Sequence, residues 1–137
     1  MLLERILILL VIAAIGTAFY AVWRLWQSRR LQQLAATDAP LALRQLLGAT
    51  QGPAILYFTA ADCSQCRYRQ TPILTSLLEH LPIALHTIDA PSQPELVRHY
   101  GILTVPSTVV LTPELRPVAI NHGLATRPQL QEQLGNW

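Results

Sequence analysis

Residues 6–23, ILILLVIAAIGTAFYAVW, carry no charged side chain. As a helix this run rises about 27 Å, close to the thickness of a bilayer's hydrocarbon core. A stretch like that has three fates: a buried core helix, a cleaved signal peptide or a membrane span. Against cleavage, the N-terminal flank offers only Glu4 and Arg5, and large aromatics occupy the place of a small-residue cleavage site. Phe19, Tyr20, Trp23 and Trp26 gather at the far end, as an interfacial aromatic belt does. The expectation is one uncleaved membrane anchor, residues 1–26, with membrane lipid as its partner. Arg24, Arg29 and Arg30 follow the run, while Arg5 alone precedes it beside Glu4. The excess of arginine puts the remainder in the cytoplasm. Three against one is a modest bias, and the extracytoplasmic side stays open.

The anchor explains much of an unusual composition, 51% hydrophobic and 13% charged, where a soluble domain has about 25% charged residues. Residues 27–40 are polar and helix-prone and stop at Asp38-Ala39-Pro40, which reads as a juxtamembrane stalk. Residues 41–137 suffice for one domain. A net charge of +2 without a basic stripe interleaved with aromatics argues against nucleic acid as a partner. Two cysteines are too few for a disulfide framework or a four-cysteine metal site.

Hydrophobic patterning divides this last segment. Residues 41–47 form a short amphipathic helix, broken by GATQGP. AILYFT (54–59) is a compact apolar run rich in β-formers, hence a buried strand. The next stretch reads as a helix to about Leu81, with Asp62 as its N-cap and Gln65 in capping-box spacing. Pro72 should kink that helix. Residues 82–89 are a second strand, 92–101 a short helix stopped by Gly101, 107–112 a third strand and 117–122 a fourth. Residues 127–137 close the chain as a helix with Pro128 in its first turn. The order β-α-β-α-β-β-α predicts parallel strands where helices intervene, an antiparallel final pair, and helices on both faces.

This layout gives Cys63 and Cys66 their meaning. Cys63 falls just after a buried strand, in the first turn of a helix. Unpartnered N–H groups and the positive end of the helix dipole there favour a thiolate. Cys66 lies one turn further on, nearly on the same face, placed to resolve a mixed disulfide formed at Cys63. Arg67 would stabilise the thiolate and Asp62 would oppose it. A C-x-x-C pair also suits metal, but His80, His86, His99 and His122 are scattered with no paired spacing. No metal and no cofactor is therefore expected. Pro106 precedes a strand, which is an ordinary place for proline. A sharper alternative is a cis Val105-Pro106 bond that presents the backbone of Val105 to a partner peptide.

AILYF, CSQC, TID, YGILTVPST and Gly123 occur in an order and spacing that resemble the thioredoxin family, and its membrane-anchored bacterial members in particular. The likeness spans about residues 41–137. It implies a three-layer sandwich, with a central mixed sheet of about four strands between helices, and a thiol–disulfide oxidoreductase acting on protein disulfides or dithiols with a separate reductase or oxidase. Cys63 would attack, Cys66 would resolve, Pro106 would be the cis-proline beside the sulfurs, and Gly123 would line the substrate groove. Several residues depart from the pattern. Ser64 and Gln65 separate the cysteines where the family has glycine and proline, and Asp62 replaces a tryptophan. The family's buried aspartate falls on Tyr57, and its lysine partner at about Leu85. Pro72 comes one residue late. Those losses motivate a second reading, a non-catalytic binding or assembly module whose cysteines form a structural disulfide or hold metal.

Overall fold

The computed structural model describes residues 1–48 and 52–135. Ala49, Thr50 and Gln51, in the expected break after the first short helix, lie outside the described residues, as do Asn136 and Trp137 of the closing helix. The chain divides into two compact units, Met1–Gln33 and Leu34–Trp137.

The first unit is helical. It comprises most of α1 (Leu2–Ala36), which runs on past Trp26 without a break and has no buried residue. Its apolar window is 0% buried, so it is not a core helix. A membrane span and a signal sequence both remain consistent with its length and composition.

The second unit is built on a four-stranded sheet in the order β2-β1-β3-β4. Around the strands β1 (Ala54–Thr59), β2 (Ala84–Asp89), β3 (Ser107–Leu111) and β4 (Pro117–His122) lie α2 (Leu41–Leu47), α3 (Thr71–Leu78), α4 (Pro94–Tyr100) and α5 (Arg127–Gly135). The central strand β1 is covered on both sides, which is why its sequence is a continuous apolar run rather than an alternating one. Ala54, Leu56 and Phe58 join Val109 and Leu111 in a core closed by Leu43 and Leu47 of α2 and Leu96 and Tyr100 of α4. Ile55 and Tyr57 face the other way, with Val110, Cys66, Leu74 and Leu77, and Leu130 and Leu134 of α5. Helices therefore cover both faces, as expected.

One expected strand direction is corrected. β1 and β2 are parallel, but β3 is antiparallel to β1 although α4 stands between β2 and β3. The register explains it: Thr59 pairs with Asp89 and Phe58 with Ser107, so β2 ends and β3 begins at the same edge of the sheet. α4 has seven residues, a rise of about 10 Å. A strand of six residues runs about 20 Å. The helix is too short to carry the chain back down the sheet, and Gly101, left-handed at φ 63°, turns it instead. β3 and β4 are antiparallel, as anticipated. β2 starts at Ala84 because Pro82 lacks a donor and Ile83 N–H turns back to Leu81 O (2.9 Å).

Candidate redox site

β1 ends at Thr59, and a turn over residues 60–62 delivers the chain to Cys63. Cys63 N–H bonds Ala60 O (3.1 Å), and Cys63 O accepts Arg67 N–H (3.3 Å) as the first helical bond. Cys63 is therefore the N-cap residue, one position later than the expected Asp62. The Cys63 sulfur accepts the Cys66 N–H at 3.1 Å, which is the N-cap to N3 bond with sulfur in place of oxygen. The cysteines form a disulfide with their Cα atoms 5.3 Å apart. Closing that small ring draws the sulfur over the helix start, so it caps Cys66 N–H, one residue beyond the Gln65 N–H that an Asp62 cap would reach. Asp62, Ser64 and Gln65 are exposed, and the capping box between Asp62 and Gln65 is not made. Cys63 is half-buried, whereas Cys66 is 2% exposed.

The helix after the pair is irregular because of Pro72. Residues Cys66–Gln70 are π-helical, and Thr71 N–H returns to Cys66 O, five residues back. In a continuous α-helix the ring of Pro72 would crowd the carbonyl of Tyr68 and leave it without a donor. One wide turn relieves this crowding. It also takes up one residue more than an α-turn, which matches the late arrival of Pro72 after Cys66. The expected kink is thus a change of helical register.

Two side-chain bonds lock this turn. Thr71 Oγ1 donates to Cys66 O at 2.8 Å, and Tyr57 Oη lies 3.2 Å from Thr71 Oγ1. The threonine's one proton goes to the carbonyl, so the tyrosine hydroxyl donates to the threonine. Tyr57, 3% exposed, thereby secures the backbone of Cys66 through Thr71. Replacing Tyr57 by Phe should lower stability by about 1 kcal/mol, the net worth of such a bond, measured as a shift of the urea midpoint; an unchanged midpoint would show that the link contributes nothing.

A cleft of about 300 Å³ opens beside Cys63. Tyr57, Leu74, Leu85 and Thr87 line it from the sheet and α3, and Arg67 lines it from the helix start. Tyr57 and Thr87 are register partners on β1 and β2. The residues expected to replace the family's aspartate and lysine, Tyr57 and Leu85, thus do meet in one place. The Arg67 guanidinium donates from Nη2 to Ala61 O at 3.3 Å.

The other expected groups lie at the same edge of the sheet. Val105-Pro106 is cis. Ser107 Oγ donates to Thr104 O at 2.6 Å, closing the loop that holds Pro106. Ser107 pairs with His122, so the register sets Pro106 next to Gly123, which has φ +84°. Val105 and Cys63 pack against the same apolar cluster. Leu103, 90% exposed, stands on the same loop as Pro106. Among the described residues, no group of three or more metal-ligating side chains comes together. Desolvation lowers the pKa of His86, and also that of His99, where Glu95 opposes it.

Sequence reasoning missed Gln70. It is 0% exposed. Its amide nitrogen donates to Ala125 O (3.2 Å), and its oxygen accepts Ala125 N–H (2.8 Å). It ties the π-turn after Cys66 to the segment after Gly123. The signal was present: Cys66, Gln70, Leu74 and Leu77 form one helical stripe, and a glutamine in an apolar stripe needs a buried partner.

No family model and no curated protein matches the chain. Solved structures do. A mutant thioredoxin from Halobacterium salinarum superposes with TM-score 0.61 at 21% identity, covering 74% of this chain and 87% of that one. Thioredoxin-2 of the malaria parasite gives 0.57 at 19%, covering 64% and 86%. Thioredoxin 1 from Thermosipho africanus gives 0.52 at 20%, covering 60% and 90%. With the sheet order, the cis-proline and a dithiol pair at a helix start, these likenesses establish that the chain has the thioredoxin fold.

Proposed function

We propose that the protein is a membrane-tethered thiol–disulfide oxidoreductase exchanging disulfides with protein partners through Cys63 and Cys66. The observation that carries this reading is the asymmetry of the bonded pair: Cys63 is half-buried at a helix N-cap and Cys66 is buried one turn below. In the reduced protein, the Cys63 thiolate attacks a partner disulfide. A mixed disulfide forms and the first partner thiolate leaves. Cys66, once deprotonated, attacks the Cys63 sulfur, the second partner thiolate leaves, and two electrons have passed to the partner. A separate reductase or oxidase restores the starting state. Val105, Pro106 and Gly123 form the edge against which a partner peptide lies, and α1 confines the reaction to partners at a membrane surface. The arginine excess after the apolar run favours the cytoplasmic side, and the function there is maintenance of thiol redox balance.

The replacement of a buried carboxylate and amine by Tyr57 and Leu85 favours a second reading, a binding module with a fixed disulfide. Equilibration of the full chain, in detergent micelles, with dithiol buffers of graded potential separates the two. A midpoint between about −120 and −300 mV, the span of working exchangers and their compartments, is the expected result. A bridge that stays closed below that range overturns the redox reading.

A further inference from the structure

Val105, Pro106 and Gly123, the proposed peptide edge, do not line the cleft beside Cys63. Its volume of about 300 Å³ is at the small end of small-molecule sites. Its walls have a definite chemistry. Tyr57, Thr59, Thr71 and Thr87 are hydroxyl-bearing residues, Leu74 and Leu85 are apolar, and Cys63 of the disulfide also lines it; the Tyr57 and Thr71 hydroxyls are already hydrogen-bonded to one another. Among the described residues lining it, Arg67 alone is charged. Asp62, the nearest carboxylate in sequence, is exposed in the turn and does not line the cleft. Arg67 has five N–H donors, of which one is engaged with Ala61 O.

A ligand for this cleft is small and carries an anion. Cys63, a lining residue, carries a disulfide with which that ligand can react. We propose that the cleft admits a low-molecular-weight thiol bearing a carboxylate, which Arg67 pairs with while the thiol meets Cys63. The proposal rests on the redox reading above and names a second substrate class for the same disulfide. A guanidinium pairs a carboxylate through two parallel N–H bonds, so it orients the thiol as well as attracting it.

The step balances without any further group. The small thiolate attacks the Cys63 sulfur, the bond to Cys66 breaks, and a mixed disulfide forms at Cys63. The Cys66 thiolate leaves and takes a proton from water. A second small thiolate attacks the sulfur of the bound thiol, releasing an oxidised small disulfide and the Cys63 thiolate. Two small thiols have lost two electrons and the protein pair has gained them.

The test compares N-acetylcysteine with its amide, which share a reacting carbon skeleton and differ in the carboxylate. Opening of the disulfide in the full-length protein, in detergent micelles, is followed by alkylation and mass spectrometry at equal thiolate concentration. The expected result is saturation with the acid and about a tenfold higher second-order rate for the acid than for the amide. In Arg67→Gln that ratio should fall to near one. The ratio cancels any general effect of Arg67 on the sulfur. Equal, unsaturated rates for acid and amide in the wild type overturn the proposal and leave the redox reading intact. An acid preference that survives Arg67→Gln also overturns it. If neither thiol nor dithiothreitol opens the bridge, the redox reading fails and the proposal with it.

Discussion

Cys63→Ser should abolish disulfide exchange, whereas Cys66→Ser should give a protein that attacks partners and cannot let them go. The two sulfurs differ in access, and the difference assigns the order of events. Cys63 is half-buried at the helix cap, while Cys66 is 2% exposed beneath it. On the proposed mechanism a partner disulfide therefore meets the first and not the second. With Cys66 gone, the mixed disulfide at Cys63 has no internal nucleophile to resolve it. Covalent adducts should accumulate on a non-reducing gel and vanish with dithiothreitol. Neither variant should unfold. The bridge closes a loop with a sequence separation of three, and so small a loop restricts the unfolded chain by only about 2 kcal/mol. Lost exchange in a folded variant is lost chemistry. Substantial insulin-disulfide reduction by Cys63→Ser, or adducts forming on Cys66 in that variant, would overturn the assignment.

The parts of this fold that were legible are those fixed by local chemistry. Gly101 as a left-handed helix stop, Pro128 in the opening turn of α5, and the buried run of β1 are each set by one residue's backbone freedom or by a short pattern. The direction of β3 was not legible, because it depends on whether α4 is long enough to recross a sheet whose dimensions the chain does not spell out. The cap was misplaced for a related reason. Asp62 is the better capping residue by intrinsic preference, yet a covalent ring four residues long decides where the cap sulfur goes. The late proline was visible as a count, and only the structure converts that count into one π-turn. At the site, the C-x-x-C spacing marked the pair, the residues alone left the Val105-Pro106 bond open between cis and an ordinary strand start, and only the resemblance pointed to Pro106 and Gly123. The cleft was not, since Tyr57, Arg67, Leu85 and Thr87 come from three separate elements. The resemblance located the loss of the acid and amine, and the geometry adds what now fills their place.

Gln70→Leu should cost about 3 kcal/mol and, alone among these substitutions, should loosen the segment beside Gly123. The side chain is 0% exposed and holds both backbone groups of Ala125, a residue 55 positions away. Leucine has similar bulk, so no large cavity results. It leaves the Ala125 N–H and C=O without partners, and each such buried group costs about 1–3 kcal/mol. The urea midpoint should fall accordingly, with amide exchange accelerating first at residues 123–126. Gln70→Glu separates the hydrogen bonds from the packing. A protonated glutamic acid can still donate to Ala125 O and accept from Ala125 N–H. An ionised one has only acceptors and sets a buried negative charge against a carbonyl, so folding raises its pKa above the unfolded value of about 4.3. Stability from such a group is complete below the unfolded pKa and is lost as pH rises through the folded one. The Gln70→Glu midpoint should therefore approach wild type near pH 4 and drop progressively toward pH 8, relative to the wild-type profile. A Gln70→Glu profile parallel to wild type, or a Gln70→Leu variant as stable as wild type, would mean that the two bonds to Ala125 do not hold the loop.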